Sequence, residues 1–430
     1  MCGPGVGYMC GRVLQEQLQA AAADATVTGG EQWAVAGRSE SKLDKLCAAL
    51  GSSVDKVICD VKDSAQVESA VLSAKVVANF AGTPFADKAA PVVEACAKHG
   101  RHYVDITGEI CLHKASFDSS HKLCKQTGAI ILHGCGYDSV PSDLGAFMAA
   151  EAMTREFGCK CSAITYFAGK SKGAVSGGTL ATGLAMTSSQ AKSYPGFVDA
   201  QKLGMCYPLD PPGGHRGPDT NNHGGWPVKY HKAAQTWCAP FIMADINAPV
   251  VRKSNALLSY RYGPQVRYYE TTAVPSMLAS VGMLSGLLAA VSCIALPPVR
   301  WVLFKTGLLP KPGEGPSKTL QDTGYFHSFV VAEGDDVPGA VTTAHIRSGT
   351  AGDPGYKATA QMCIESALCL ALERERCSKE GGVLTPASAL GTVLIDRLNN
   401  SGMRLYSEKG PPLQGSSAQA SARVEKVRND

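Results

Sequence analysis

The chain has 430 residues, 45% of them hydrophobic and only 18% charged, with a net charge of +4. That length supports two domains with cores of their own, and the low charge fraction excludes general disorder. So mild a charge gives nucleic acid no case as a partner. The sixteen cysteines contain no CxxC pair and follow no secretory signal, so they read as reduced, buried thiols of an intracellular protein that is not secreted. Cys159-Lys-Cys161 is too tight for a zinc knuckle and lacks a second pair, so no metal site is expected.

The chain opens inside a glycine loop. Gly5, Gly7 and Gly11 space as G-x-G-x-x-x-G ahead of a helix expected to reach about Ala23, an arrangement that lets backbone N–H groups hold a pyrophosphate. Such a loop should follow a strand, yet only Met1 and Cys2 precede Gly3. In the usual strand order that first strand is central, and its loss would leave two ladders unpaired, each buried unpaired group costing roughly 1–3 kcal/mol. Two readings stand: a start at an internal methionine, which the cost favours, or a natural variant with weak or no cofactor binding. An in-frame strand-like segment upstream would support the first.

Gln32–Gly37 reads as a buried strand ending in Arg38-Ser39, with a helix from Ser41 carrying Lys42 on its first turn. An acid here would bind the ribose hydroxyl of NAD, whereas arginine accommodates the 2′-phosphate of NADP. Arg38, Ser39 and Lys42 offer two cations, a hydroxyl and no acid, so NADP(H) is the expected cofactor. Further strands are expected at Lys56–Asp60, Val76–Gly82 and His102–Ile106. Helices are expected from Ser64, which caps the first, over about Ala89–His99 and over about His113–Lys125. The end of the Val76 strand, Ala81, Gly82 and Thr83, is small enough for a dinucleotide to lie across, and Thr107-Gly108-Glu109 faces the same edge. This βα alternation is what a doubly wound, Rossmann-type parallel sheet produces, here with its first strand missing.

Ala129–Gly145 (AIILHGCGYDSVPSDLG) reads as a short strand, a glycine turn and a helix opening near Pro141. Asp143 falls in that helix's first turn, where a carboxylate suits the positive end of the helix. The loop gathers Tyr137, Asp138, Ser139 and Asp143 at the edge where open α/β sheets bind ligands.

The second half reads as an α+β domain. A strand is expected at Ala163–Ala168, a glycine-rich helix start at Ser176–Thr179, and a long loop over Tyr207–Tyr230. Short strands follow around Val250 and Leu258–Tyr262, then Tyr268–Thr272. Pro275–Leu296 carries no charge over more than twenty positions, enough to cross a hydrocarbon core of roughly 30 Å. With Pro297-Pro298 and VRWVLFKTGLL behind it, the insertion 275–309 reads as a membrane or lipid-droplet anchor, a dimer interface or a buried core helix, in that order. Tyr325–Ala332 and Ala340–Arg347 should pair antiparallel around Gly334-Asp335-Asp336, a long helix should span Asp353–Arg376, and 410–430 should be a disordered tail.

The ordered set HYVDITGE, WAVAGRSESKL, NFAGTP, SGGT, KPGEGPS, DPGYKATAQM and GGVLTPASALG, with the Ala129–Gly145 stretch, resembles the saccharopine dehydrogenase-like oxidoreductases over roughly residues 5–405. That family includes trans-acting enoyl reductases of lipid biosynthesis. The resemblance implies an NADP-binding domain over 1–145, with Asp60 flanking the adenine, and a second domain over 146–352. It also implies a C-terminal segment, 353–409, that returns to support the first domain. The chain departs from the family in its missing strand and in its glycine spacing. The resemblance also implies a lipid or acyl-linked substrate and a membrane or lipid-droplet surface as a partner; a homodimer follows only on the second reading of the insertion.

The expected activity is hydride transfer from NADPH to an activated C=C or C=O. Tyr137, Asp138, Asp105 and Tyr103 are the candidate proton donors. A saccharopine dehydrogenase proper is disfavoured, because no arginine cluster in the second half could hold its carboxylates. The competing reading is a non-catalytic membrane or lipid-droplet protein that keeps the fold, or a truncated, inactive variant.

Overall fold

A computed structural model describes residues 32–50, 54–81, 85–86, 88–173, 189–194, 196–202, 206–306 and 316–412. Gly5, Gly7, Gly11, Gly82, Thr83, the Ser176–Thr179 turn, positions 307–309 and the tail from 413 lie outside the described residues.

The first domain is parallel α/β. Strands β1 (Ala34–Gly37) and β2 (Asp55–Ile58) pair with each other. Strands β3 (Val76–Asn79), β4 (His102–Asp105) and β5 (Ile130–Leu132) form a separate parallel sheet. Among the described residues no strand bridges β1 and β3. Helices α1 (Glu40–Leu50), α2 (Ser64–Leu72), α3 (Ala90–Lys98) and α4 (Ile110–Thr127) alternate with the strands. Asp63, not Ser64, caps α2: its carboxylate accepts from the amides of Ala65 and Gln66 at 3.0 and 3.1 Å. Helix α4 starts three residues earlier than its polar sequence suggests, directly after Glu109, and stops at Gly128, whose φ of 79° only glycine adopts freely.

Helix α5 (Val140–Phe157) leads into the second domain and lies on its sheet. A Cβ at Gly145 would fall 2.6 Å from Val330 Cγ2 and 2.8 Å from Ile346 Cδ1, so glycine sets how closely the helix seats. That sheet has seven strands. They are β6 (Cys161–Lys172), β7 (Lys229–His231), β8 (Thr236–Ala239), β9 (Arg267–Val274), β10 (Tyr325–Gly334), β11 (Val341–Arg347) and, from the end of the chain, β13 (Arg404–Lys409), in the order β13-β11-β10-β6-β9-β8-β7. The expected pairing of β10 with β11 is present.

The strands expected around Val250 and Leu258–Tyr262 are absent. Ala244–Leu257 is one helix, here called α7, with Pro249 inside it; α6 is the short Phe197–Lys202. The β-branched Val250 and Val251 follow a proline, which imitates a strand. Packing of α7 against α5 and β9 overrides that local preference. The chain then turns through Ser259 and Tyr260, at φ of 54° and 57°.

The apolar run forms helices α8 (Met277–Ala295) and α9 (Pro297–Lys305). Only 6% of Met277–Ile294 is buried, and Leu278 is 84% exposed, so α8 is not the core helix that was one expectation for it. Beyond the short α10 (Lys318–Thr323) and a π turn capped by Asp353, α11 (Thr359–Leu372) packs against β3 and β4. The chain then forms strand β12 (Gly382–Leu384), which joins β5 in parallel, followed by helices α12 (Pro386–Ala389) and α13 (Gly391–Asn400). One continuous core, including Leu132, Leu144, Ile164, Val330, Ile346, Met362 and Leu394, runs through both domains.

Candidate active site

The carboxyl ends of β4 and β5 lie side by side, and the loops leaving them are tied by one buried carboxylate. Asp105 Oδ1 accepts from the amides of Thr107 (3.0 Å) and Gly134 (3.1 Å). Its Oδ2 accepts from the Tyr103 hydroxyl (2.9 Å) and pairs with His133 Nδ1 (2.7 Å). Asn79 at the end of β3 donates to the Tyr103 oxygen (3.0 Å). Burial pushes the Asp105 carboxyl up, but His133, His113 and the hydrogen bonds outweigh it and hold the group below its ordinary range. Burial and Asp105 raise the Tyr103 phenol well above its usual value. His113, stacked on His133 at 4.9 Å, is pushed down to about 3, chiefly by burial and by His133. It is therefore neutral and donates from Nε2 to Thr107 O at 3.0 Å. Glu109 extends the tie by accepting from the amides of Phe85 and Ala86 at 2.9 and 2.7 Å. Tyr103 and Asp105 are both fully buried, so they brace the loops from within.

Tyr137 and Asp138 stand differently. Both are half-buried, on the loop between β5 and α5. The Tyr137 ring meets Phe326 edge-on at 4.7 Å, and burial pushes its phenol up to about 12. Burial alone pushes the Asp138 carboxyl up to about 6. Among the described residues it has no hydrogen bond or ion pair. A methyl group on Gly108 would lie 3.7 Å from Asp138 Oδ2 and 3.1 Å from Ile246 Cγ2 of α7. The β4 loop, the β5 loop and the second domain therefore converge on this carboxyl.

Asp143 does not act through the helix dipole alone. It is fully buried, accepts from the Ser254 hydroxyl and from the Ala387 amide (2.8 Å), and so clasps α5 to α7 and to the C-terminal segment. Burial pushes its carboxyl up to about 7 and pushes the neighbouring buried Lys253 down to about 7; the Lys253 ammonium sits 4.8 Å from the centre of the Phe117 ring.

At the carboxyl end of β1, Arg38 and Lys42 are exposed where the strand passes into α1, and neither has an ion pair among the described residues. Ser39 O accepts from the amides of Lys42 and Leu43, both at 3.1 Å. Asp60 is occupied by its own turn, accepting from the Lys62 amide at 3.1 Å, and the Ala81 amide donates to Asn79 Oδ1 at 2.9 Å.

Residues 5–132 match the saccharopine dehydrogenase NADP-binding domain family. A Mycobacterium tuberculosis protein provisionally named a trans-acting enoyl reductase is 35% identical over 413 residues, covering 93% of this chain and 95% of that one. The trans-acting enoyl reductase of Mycobacterium leprae is 32% identical over 387 residues, covering 86% and 90%. This chain belongs to the saccharopine dehydrogenase-like oxidoreductases. A yeast saccharopine dehydrogenase (L-Glu forming), covering 93% of this chain and 97% of its own at a TM-score of 0.50 and 13% identity, shares the fold.

The chain is thus an NADP-dependent oxidoreductase, and its residues fit that cofactor: two unpaired cations and a helix start, at the end of the second strand position, suit a 2′-phosphate. Sequence reasoning on this oxidoreductase placed Glu109 at this edge but missed His133 and His113. His133 sits at the mouth of a buried strand, a position that in principle flags it. His113 joins the site only through its contacts with Thr107 and His133.

Proposed function

We propose that this protein is an NADPH-dependent reductase of the activated C=C of a lipid-linked enoyl substrate, with Asp138 as proton donor. The observation that carries the reading is the unpartnered Asp138 carboxyl, raised to about 6 where two strand ends and α7 meet. A general acid needs a pKa near the working pH and no competing partner. Bound NADPH would supply a hydride. Arg38 and Lys42 would hold its 2′-phosphate, and Asp105, His133 and Tyr103 keep the two loops at fixed spacing. Asp138 delivers a proton to the carbon left electron-rich, and Tyr137 closes the floor against Phe326. The enoyl class comes from the names of the relatives. The test is NADPH oxidation, followed by absorbance, with short and long 2-enoyl thioesters. Turnover in the wild type that is lost in Asp138→Asn supports the reading; no turnover with any enoyl or keto lipid rejects it.

The same reading places the protein at a membrane or lipid-droplet surface. Leu278, Leu288, Val291 and Trp301 are each more than half exposed along α8 and α9, with Lys305 close over the Trp301 ring, the pattern of an apolar insert with an interfacial anchor. Flotation with phospholipid vesicles tests this. A lipid-free homodimer that shields α8 would replace it. A protein that floats but never oxidises NADPH would be the non-catalytic alternative.

A further inference from the structure

The stretch DPGYKATAQM, Asp353–Met362, reaches the candidate site from far along the chain. Pro354–Ala358 form a π turn, and α11 begins at Thr359. Asp353 is fully buried and holds the turn from inside. Its carboxylate accepts from the amides of Tyr356 and Lys357, both at 3.1 Å, and its carbonyl accepts from the Ala358 amide at 3.0 Å. The Asp353 amide donates to Gln321 O at 3.0 Å and Lys357 Nζ to Asp322 Oδ1 at 3.0 Å, so α10 braces the turn from outside. A lone π turn at a helix is uncommon and concentrates at functional sites.

What the turn presents is Thr359. Its hydroxyl donates to Pro354 O at 2.7 Å. That commits its one proton and leaves the oxygen as an acceptor, to which the Tyr137 amide donates at 3.1 Å across 222 residues of sequence. The fit is close, since a Cβ at Gly136 would fall 2.9 Å from Thr359 Cγ2. Thr359 therefore grips the backbone of the β5–α5 loop at the residue before Asp138. The groups turned toward Asp138, Gly108 of the β4 loop and Ile246 of α7, carry no charge, and Tyr137 is its titratable neighbour.

We propose that Thr359 is a positioning residue for the acid: through the Tyr137 amide it holds the Asp138 carboxyl where the β4 loop, the β5 loop and α7 converge. This rests on the reading of Asp138 as the proton donor. Without the bond the Tyr137 amide has lost its acceptor and the loop shifts to find another. The shift moves the carboxyl off the carbon it must protonate and lets water reach it.

Thr359→Val keeps the shape and removes the acceptor, whereas Thr359→Ser keeps the acceptor. Two quantities are read on the full chain: kcat for NADPH oxidation with a 2-enoyl thioester, and the titration midpoint of the Asp138 carboxyl by carbon NMR, its signal assigned by its absence in Asp138→Asn. Thr359→Val should lose about 10- to 100-fold in kcat with the Kd for NADPH unchanged. Its Asp138 midpoint should fall from about 6 toward the ordinary carboxylate range as water reaches the group. Thr359→Ser should restore both. Gly136→Ala presses a methyl group on Thr359 from the loop side, should lower the midpoint in the same way, and decides the matter if Thr359→Val does not fold. An unchanged kcat or Asp138 midpoint in Thr359→Val, or equal losses in Thr359→Ser and Thr359→Val, would overturn the proposal. A wild type without turnover rejects the reductase reading alone, and the midpoints still decide the role of Thr359.

Discussion

Asp138→Asn separates chemistry from stability, because the two should move in opposite directions. The Asp138 carboxyl rises from 3.8 to about 6 on folding, so the native state disfavours its charge. Below pH 4 the group is protonated in both states and adds no difference. Between about pH 4 and pH 6 the unfolded chain has lost the proton and the folded chain has kept it, so stability falls by about 1.4 kcal/mol per pH unit. Above pH 6 both are ionised and the loss levels off at about 3 kcal/mol. Asparagine has the same shape and no charge. The variant should therefore be more stable than wild type at pH 8, by up to about 3 kcal/mol in urea unfolding, with the advantage shrinking toward pH 4. Activity should go the other way. At pH 6 the variant should lose about 10²- to 10⁴-fold in kcat/KM, and the decline of wild-type kcat/KM above about pH 6 should flatten. A variant that keeps its rate within about threefold, or that shows the same pH profile as wild type, would refute Asp138 as the acid. A variant less stable at pH 8 would refute the burial argument behind it.

Arg38→Ala should raise the Kd for NADPH by about 10- to 100-fold while leaving that for NADH little changed, measured by fluorescence titration of both nucleotides. Replacing His133 with alanine removes one of the four hydrogen-bond partners of the fully buried Asp105 carboxylate, so urea unfolding should show a loss of about 1–3 kcal/mol. Gly145→Ala forces a methyl group against Val330 and Ile346 and should cost about 1–3 kcal/mol, seen as a lower urea midpoint at unchanged m-value. Leu288→Glu on the exposed side of α8 should abolish vesicle flotation without altering NADPH binding.

The parallel α/β domain was legible because βα alternation leaves a period in the chain. The antiparallel β10–β11 pair was legible for a similar local reason: a Gly-Asp-Asp turn between two apolar runs. What failed to show was set by distance. Pro249-Val250-Val251 mimics a strand, and only the packing of α7 between α5 and β9 makes it helical. Gly382–Leu384 is three residues long, too short to carry any period, and becomes a strand because β5 offers an open edge. Within the site, the sequence pointed to Asp105 and Asp138 with equal force. Their difference lies wholly in their partners: Asp105 has four, drawn from two segments, and Asp138 has none among the described residues.

The pairing of β12 with β5 sets an order of events during synthesis. Ile130 finds its neighbour at Gly382, about 250 residues later in the chain. At ribosomal speeds of roughly 5–20 residues per second, the edge of β5 waits some tens of seconds for its partner strand. Through that interval all of the second-domain sheet but β13, with the apolar α8 in its middle, leaves the ribosome while the first domain is still open on one side. An unpaired strand edge and an exposed greasy helix then coexist on one nascent chain, the combination most prone to mispairing. Early capture of α8, by lipid or by a chaperone, would take away half of that hazard before β12 arrives to remove the rest.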